Sequence, residues 1–178
     1  VYSDNVQSAI DAVKYLHSLN HTRIAHIAGP QTSISGRERL VGYRQGMMDE
    51  NLPYDSDMIA YANEFDSASG YEAMKLLLSH PNPPTAVFVM CDLSAVGAIK
   101  AVREAGLKVG RDISIMGFDD IQIAANIVPS LTTVRQDRTS IGHTLAETLI
   151  KLINKEDVQL VTKIPCHIIE RESTKIRK

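Results

Sequence analysis

The sequence predicts an α/β protein built on a parallel sheet with helices on both faces. Three observations carry that prediction. Short apolar runs, above all Thr85-Ala86-Val87-Phe88-Val89-Met90 and Ile113 to Met116, alternate with longer stretches whose apolar residues follow helical spacing. Each run ends in a polar turn that leads into a helix, as Gly117-Phe118-Asp119-Asp120 does after Met116. The alternation persists over most of the chain, and strand–helix–strand units of this kind cross over right-handedly into parallel sheets. In open α/β sheets the polar turns gather at one edge, where ligands bind.

Ser3 or Asp4 is placed to cap a first helix with Val6, Ala9, Ile10, Val13 and Leu16 on one stripe, stopped by Asn20. Arg23 to Ala28 reads as a strand ended by Gly29-Pro30. After the polar loop Gln31 to Ser35, a second helix places Leu40, Tyr43 and Met47 on one face, and Gly42 and Gly46 leave a smooth strip for close packing. Asn51-Leu52-Pro53 breaks it, and Met58 to Tyr61 is the next strand. A third helix carries Tyr71, Met74, Leu77 and Leu78. Pro81, Pro83 and Pro84 then exclude helix before the Thr85–Met90 strand. A fourth helix uses Leu93, Val96, Ile99 and Val102 and stops at Gly106. Asp120 to Ala125 reads as a short helix and Leu131 to Val134 as a strand. A long helix near Thr139 to Asn154 carries Ile141, Leu145, Leu149, Leu152 and Ile153. Lys163 to Ile169 is a last strand, followed by a charged tail expected to lie in solvent.

At 178 residues, with 44% apolar and 22% charged, the chain has the length and composition of one globular domain. A formal net charge of -2 gives no basic cluster to neutralise phosphates, so DNA contact would have to lie outside this chain. No apolar run approaches the roughly 18 residues of a membrane span. The opening Val1-Tyr2-Ser3-Asp4 has neither an initiator Met nor a signal peptide, and the chain reads as part of something longer. Cys91 and Cys166 are far apart without a partner motif and read as buried reduced thiols.

Several polar residues at the strand exits are candidates for ligand contact. Arg39 lies one turn into its helix behind Ser33 and Ser35, where a guanidinium and hydroxyls can meet a hydroxylated or anionic ligand. The alternative is that Ser35 is an N-cap and Arg39 a surface charge. Phe65 can stack on a sugar face or a base, or anchor its loop over the core. Asp92 reads as a helix cap. With Asp120 free to cap the short helix, Asp119 has less structural reason to be present. The six histidines show no metal-ligand spacing, and His21 reads as a turn residue. No G-x-S-x-G elbow and no glycine-rich phosphate loop occurs, which makes an enzyme the weaker class.

A set of ordered motifs goes further. His21-Thr22-Arg23-Ile24-Ala25-His26-Ile27-Ala28-Gly29-Pro30, Arg39-Leu40-Val41-Gly42-Tyr43, Pro84-Thr85-Ala86-Val87-Phe88, Gly117-Phe118-Asp119-Asp120, Leu131-Thr132-Thr133-Val134 and Arg171-Glu172-Ser173-Thr174 occur in that order. From Asp4 to Thr174 the sequence resembles the effector-binding region of the LacI/GalR family of bacterial transcriptional repressors. The resemblance implies a periplasmic-binding-protein-like (type I) fold of two lobes with a small effector in the cleft between them. Residues 1–130 would form the C-terminal effector-binding lobe. Residues 131–156 would be a crossover strand and a helix belonging to the N-terminal lobe, and 157–178 the return strand and tail. The DNA-reading headpiece and most of the N-terminal lobe would lie outside this chain.

Carried over residue by residue, the family's ligand contacts fall on Ser33, Ser35, Arg39, Phe65 and Asp119. Gln136 matches a cleft residue of related sugar-binding proteins. Cys91 stands where many sugar-binding relatives have Asn, and a thiol is the weaker hydrogen-bonding group. The resemblance implies a cytoplasmic, non-enzymatic homodimer without cofactor, metal or membrane contact. A sugar would be the first candidate effector and a nucleoside or purine the second. It leaves two rivals: a periplasmic sugar-binding protein of a transporter, and a repressor that answers to a protein corepressor.

Overall fold

The computed structural model describes residues 1–177. Its elements are β1 (Tyr2–Ser3), α1 (Asn5–Ser18), β2 (Ile24–Ala28), α2 (Ile34–Asp49), β3 (Ile59–Tyr61), α3 (Ser67–Leu78), β4 (Ala86–Val89), α4 (Asp92–Glu104), β5 (Ser114–Asp119), α5 (Gln122–Asn126), β6 (Thr132–Gln136), α6 (Arg138–Ile153), β7 (Lys163–Ile164) and β8 (Cys166–Ile169). Six strands form one sheet in the order β3-β2-β4-β5-β6-β8, parallel throughout except that β8 runs antiparallel to β6. The predicted architecture is therefore present.

Strand alternation divides the core between the two faces. Ile24, Ala28, Phe88, Met116 and Phe118 pack under α1 and α2, while Ala25, Ile27, Val87, Val89 and Ile115 pack under α3 and α4. Every one of these side chains is buried, as a parallel sheet covered on both faces requires. Gly42 and Gly46 do let α1 approach α2. A Cβ on Gly42 would strike the Val6 carbonyl, and one on Gly46 the side chain of Val13.

The structure corrects several details. The last strand is two: Pro165, which has no N–H to donate, separates β7 from β8. β7 pairs with β1, a strand that the sequence reading missed, and β8 pairs with β6. The tail is anchored rather than solvated at Ser173 and Thr174, which are buried. Ser173 Oγ accepts from Thr132 N at 2.8 Å and donates to Ile115 O at 2.6 Å, so the tail satisfies backbone groups where β5 and β6 begin. His21 is not a simple turn residue. It is buried, with Nδ1 3.0 Å from Thr85 Oγ1 and Nε2 3.1 Å from Lys175 O, and burial pushes its pKa down. Cys166 is half-buried; both cysteines are free. Leu93 points out of α4 instead of joining its core stripe. α6 has no buried residue, so Ile141, Leu145 and Leu149 are all left at least partly in solvent.

Candidate functional site

The C-terminal ends of β2, β3, β4, β5 and β6 bring the candidate residues to one edge. After β2, Gly29 and Pro30 turn the chain into α2. A Cβ on Gly29 would lie 2.8 Å from Met90 Sδ and 3.2 Å from the Phe65 ring, so a residue without a side chain leaves Phe65 its seat. Ser33, not Ser35, caps α2: its Oγ accepts from Gly36 N at 3.5 Å and lies 2.9 Å from Ser35 Oγ. Ser35 is thereby held in the first turn, where it lines the hollow described below.

Arg39 is no surface charge. It is buried, its Nε donates to Asn5 Oδ1 at 3.0 Å, Nη1 donates to the Met90 carbonyl, and Cζ sits 3.5 Å above the Phe118 ring. Nη2 reaches Asp119 Oδ1 at 3.4 Å. Burial pulls the Arg39 pKa down and pushes the Asp119 pKa up, and in both the attraction of the partner opposes that shift. Asp119 Oδ1 also accepts from Gln136 Nε2 at 2.5 Å, and Gln136 Oε1 accepts from Ser3 Oγ at 2.7 Å.

Asp119 and Asp120 have φ of 108° and 49°, left-handed values that cost energy in residues with a side chain. Asp120 holds the turn and caps nothing. It accepts from Arg135 Nε at 2.6 Å and from Arg171 Nη2 at 2.7 Å. Burial works against its ionisation, but those two hydrogen bonds outweigh it and keep its pKa low. α5 begins later, at Gln122, without a side-chain cap. Asp92 is not a cap either. It lies inside α4 and is fully buried, accepting from Thr133 Oγ1 at 2.6 Å and Ile121 N at 2.9 Å. Any side chain at Gly117 would collide with it. Asp92 thus braces the turn from beneath.

Ser35, Arg39, Phe65, Cys91 and Asp119 line one hollow of about 310 Å³, together with Leu93 and Ile121. Ser33 stands behind it as the cap, and Gln136 lies on the far side of Asp119. The sequence reading missed Leu93 and Ile121. Their one signal was position, since each is an apolar residue immediately after a carboxylate at a strand exit. Cys91 Sγ lies 3.3 Å from Ser94 Oγ, and burial pushes the thiol pKa up, so it presents a neutral group. The hollow combines a hydrogen-bonding floor with the apolar faces of Phe65, Leu93 and Ile121. That suits a ring with hydroxyl groups on one edge and an apolar face. A larger hollow of about 490 Å³ lies between α4 and the segment after α5, away from this edge.

A family model described as a periplasmic binding protein-like domain matches residues 13–174. The HTH-type transcriptional repressor CytR of Escherichia coli (strain K12) is 38% identical over 179 residues, covering 98% of this chain and 51% of that protein. The chain belongs to the LacI/GalR family. It spans about half the length of the curated relatives it matches. A crystal structure of a sugar-binding LacI-family transcriptional regulator from Escherichia coli, complexed with phosphate, superposes on this LacI/GalR chain with a TM-score of 0.93. The two are 30% identical, over 99% of this chain and 63% of that one. A dimeric Lac repressor with an 11-residue C-terminal deletion gives a TM-score of 0.91 at 30% identity, over 99% and 64%.

Proposed function

We propose that this chain is the effector-sensing part of a cytoplasmic transcriptional repressor. The observation that carries the reading is the single hollow that gathers Ser35, Arg39, Phe65, Cys91 and Asp119 from four separate strand exits. Phe65 stacks on a ring, and the Arg39–Asp119 pair fixes its polar edge. A sugar is the first candidate, supported by the sugar-binding neighbour, and a nucleoside or purine the second. The curated relatives are repressors, which favours this reading over a transporter's binding protein.

In the complete regulator, residues 1–130 and 157–178 form one lobe, and α6 docks its apolar stripe into a second. The effector bridges the lobes and shifts their orientation. In a homodimer, the assembly of the Lac repressor neighbour, that shift changes the spacing of two DNA-reading headpieces. DNA is met only through headpieces outside this chain.

Calorimetric titration of the natural protein with ribose, glucose, cytidine and guanine tests the reading. At least one should bind, and Asp119→Asn and Phe65→Ala should each weaken it about tenfold or more, roughly 1.4 kcal/mol. Unchanged affinity in both variants would sink it. The 178-residue chain alone supplies half a cleft and should show no sub-micromolar binding.

A further inference from the structure

A second hollow, about 410 Å³, lies beside the first and shares Asp119 with it. Arg135, Arg138 and His167 line it together with Gln136. Strand register puts these groups side by side. Asp119 pairs with Arg135 across β5 and β6, and Arg135 with His167 across β6 and β8. Residues directly opposite each other in a sheet project to the same face. Arg138 joins them as the first residue of α6, immediately after the cap Asp137.

Three carboxylates border this hollow, and all three are occupied. Asp119 is held by Arg39 and Gln136, and Asp120 by Arg135 and Arg171. Asp137 accepts from Ser140 N at 2.9 Å and Ser140 Oγ at 2.7 Å. Arg39, Arg135, Arg138 and Arg171 thus stand beside three carboxylates, with two of the four on Asp120 and, among the described residues, none ion-paired to Asp137. Arg138 is the arginine set apart. Among the described residues it makes no ion pair, and its one hydrogen bond runs from Nη2 to the Asp119 backbone carbonyl at 3.1 Å. An exposed arginine ordinarily extends into water. This one is turned back over the backbone of the residue that links the two hollows. Among the described residues Arg135 uses only Nε, on Asp120, so its terminal N–H groups can meet a second acceptor.

We infer that the second hollow receives an anionic substituent, so that the effector is a phosphomonoester of a sugar or nucleoside. The inference rests on the effector-cleft reading above and deepens it. The ring lies against Phe65 and Asp119, and the phosphate sits between Arg138, Arg135 and His167. Guanidinium forks match phosphate oxygens in geometry as well as charge. Asp119 does not repel the phosphate strongly, because Arg39 already balances it.

The test compares ribose with ribose 5-phosphate, glucose with glucose 6-phosphate, and cytidine with cytidine 5′-monophosphate, by calorimetry on the natural protein at low and high salt. At least one phosphorylated ligand should bind tenfold or more tightly than its neutral counterpart, and the gain should shrink as salt rises. Arg138→Gln should cancel the gain, Arg138→Lys should keep part of it, and Arg111→Gln, far from both hollows, should leave it intact. If neutral ligands bind as well as their phosphorylated forms, the inference is overturned while the cleft reading stands. If no pair binds at all, both fall.

Discussion

Two buried side chains, His26 and Asp92, make opposite demands on pH. His26 stacks between Tyr43 and Phe88, with ring centroids 5.0 and 4.9 Å away, and its Nδ1 donates to Phe88 O at 2.9 Å. Among the described residues its Nε2, which is buried, has no hydrogen-bond partner. Burial lowers its pKa from 6.5 to about 4, so below pH 6.5 the unfolded chain binds a proton that the folded chain refuses. The stability due to neutral His26 is complete above pH 6.5 and is lost as pH falls toward 4. Asp92 is raised from 3.8 to about 6, again by burial, which outweighs its bonds from Thr133 and Ile121. The folded chain keeps the Asp92 proton longer than the unfolded one, so this contribution is present at pH 4 and lost as pH rises toward 6. Each amounts to about 3 kcal/mol. Relative to wild type, His26→Phe should therefore gain about 3 kcal/mol when pH is lowered from 6.5 to 4. Asp92→Asn should gain a similar amount when pH is raised from 4 to 6. Urea midpoints across this range read both, and parallel profiles for all three proteins would refute the assignment.

Two glycines let α3 and α4 pack backbone against backbone. A Cβ on Gly70 would meet the Ser94 carbonyl oxygen, and one on Gly97 the Ser67 carbonyl oxygen. Backbone cannot yield as a flexible side chain can. Gly70→Ala and Gly97→Ala should each destabilise the protein by about 2–3 kcal/mol through forced separation of the helices. Gly142 on α6 has no atom within 4 Å of the same added carbon. There the gain in helix propensity acts alone, and Gly142→Ala should stabilise α6 by roughly 0.5–1 kcal/mol. Thermal unfolding of the three variants checks the sign, and a destabilised Gly142→Ala protein would contradict the exposure of α6.

For the molecule as a whole, the sheet with its four large helices is a closed unit, and α6 stands apart from its core. Leu149 and Ile153 on α6 are 58% and 71% exposed, whereas Leu16 on α1 is fully buried. Leu149→Glu combined with Ile153→Glu should change the stability of the 178-residue chain by less than about 0.5 kcal/mol. Leu16→Ala should cost about 2–5 kcal/mol. The double variant should also lessen self-association of the chain in sedimentation, because contiguous exposed apolar surface promotes contact between copies. Equal destabilisation by both sets of substitutions would mean that α6 belongs to the core after all.

The sequence by itself determined the parallel α/β plan, the position of the central strands and the residues at their exits, but not β1 or the division of the last strand into β7 and β8. Those properties rest on local periodicity and on turn chemistry, which a chain carries wherever it goes. Ser35, Arg39, Phe65 and Asp119, which line one hollow, stood out for that reason as polar or aromatic groups where a strand gives way to a helix, whereas Cys91 was singled out only by the family resemblance. Only the tertiary structure decided what each carboxylate does. Asp92, Asp119 and Asp120 all lie where an apolar strand ends, and one became a buried brace, one the partner of Arg39 and Gln136 and one a clamp for Arg135 and Arg171. Nor could the sequence show that Ser173 would bond to residues near 115 and 132, or that Arg138 would fold back on Asp119. Such partners are distant along the chain, and their pairing is fixed by strand order and register rather than by any local pattern.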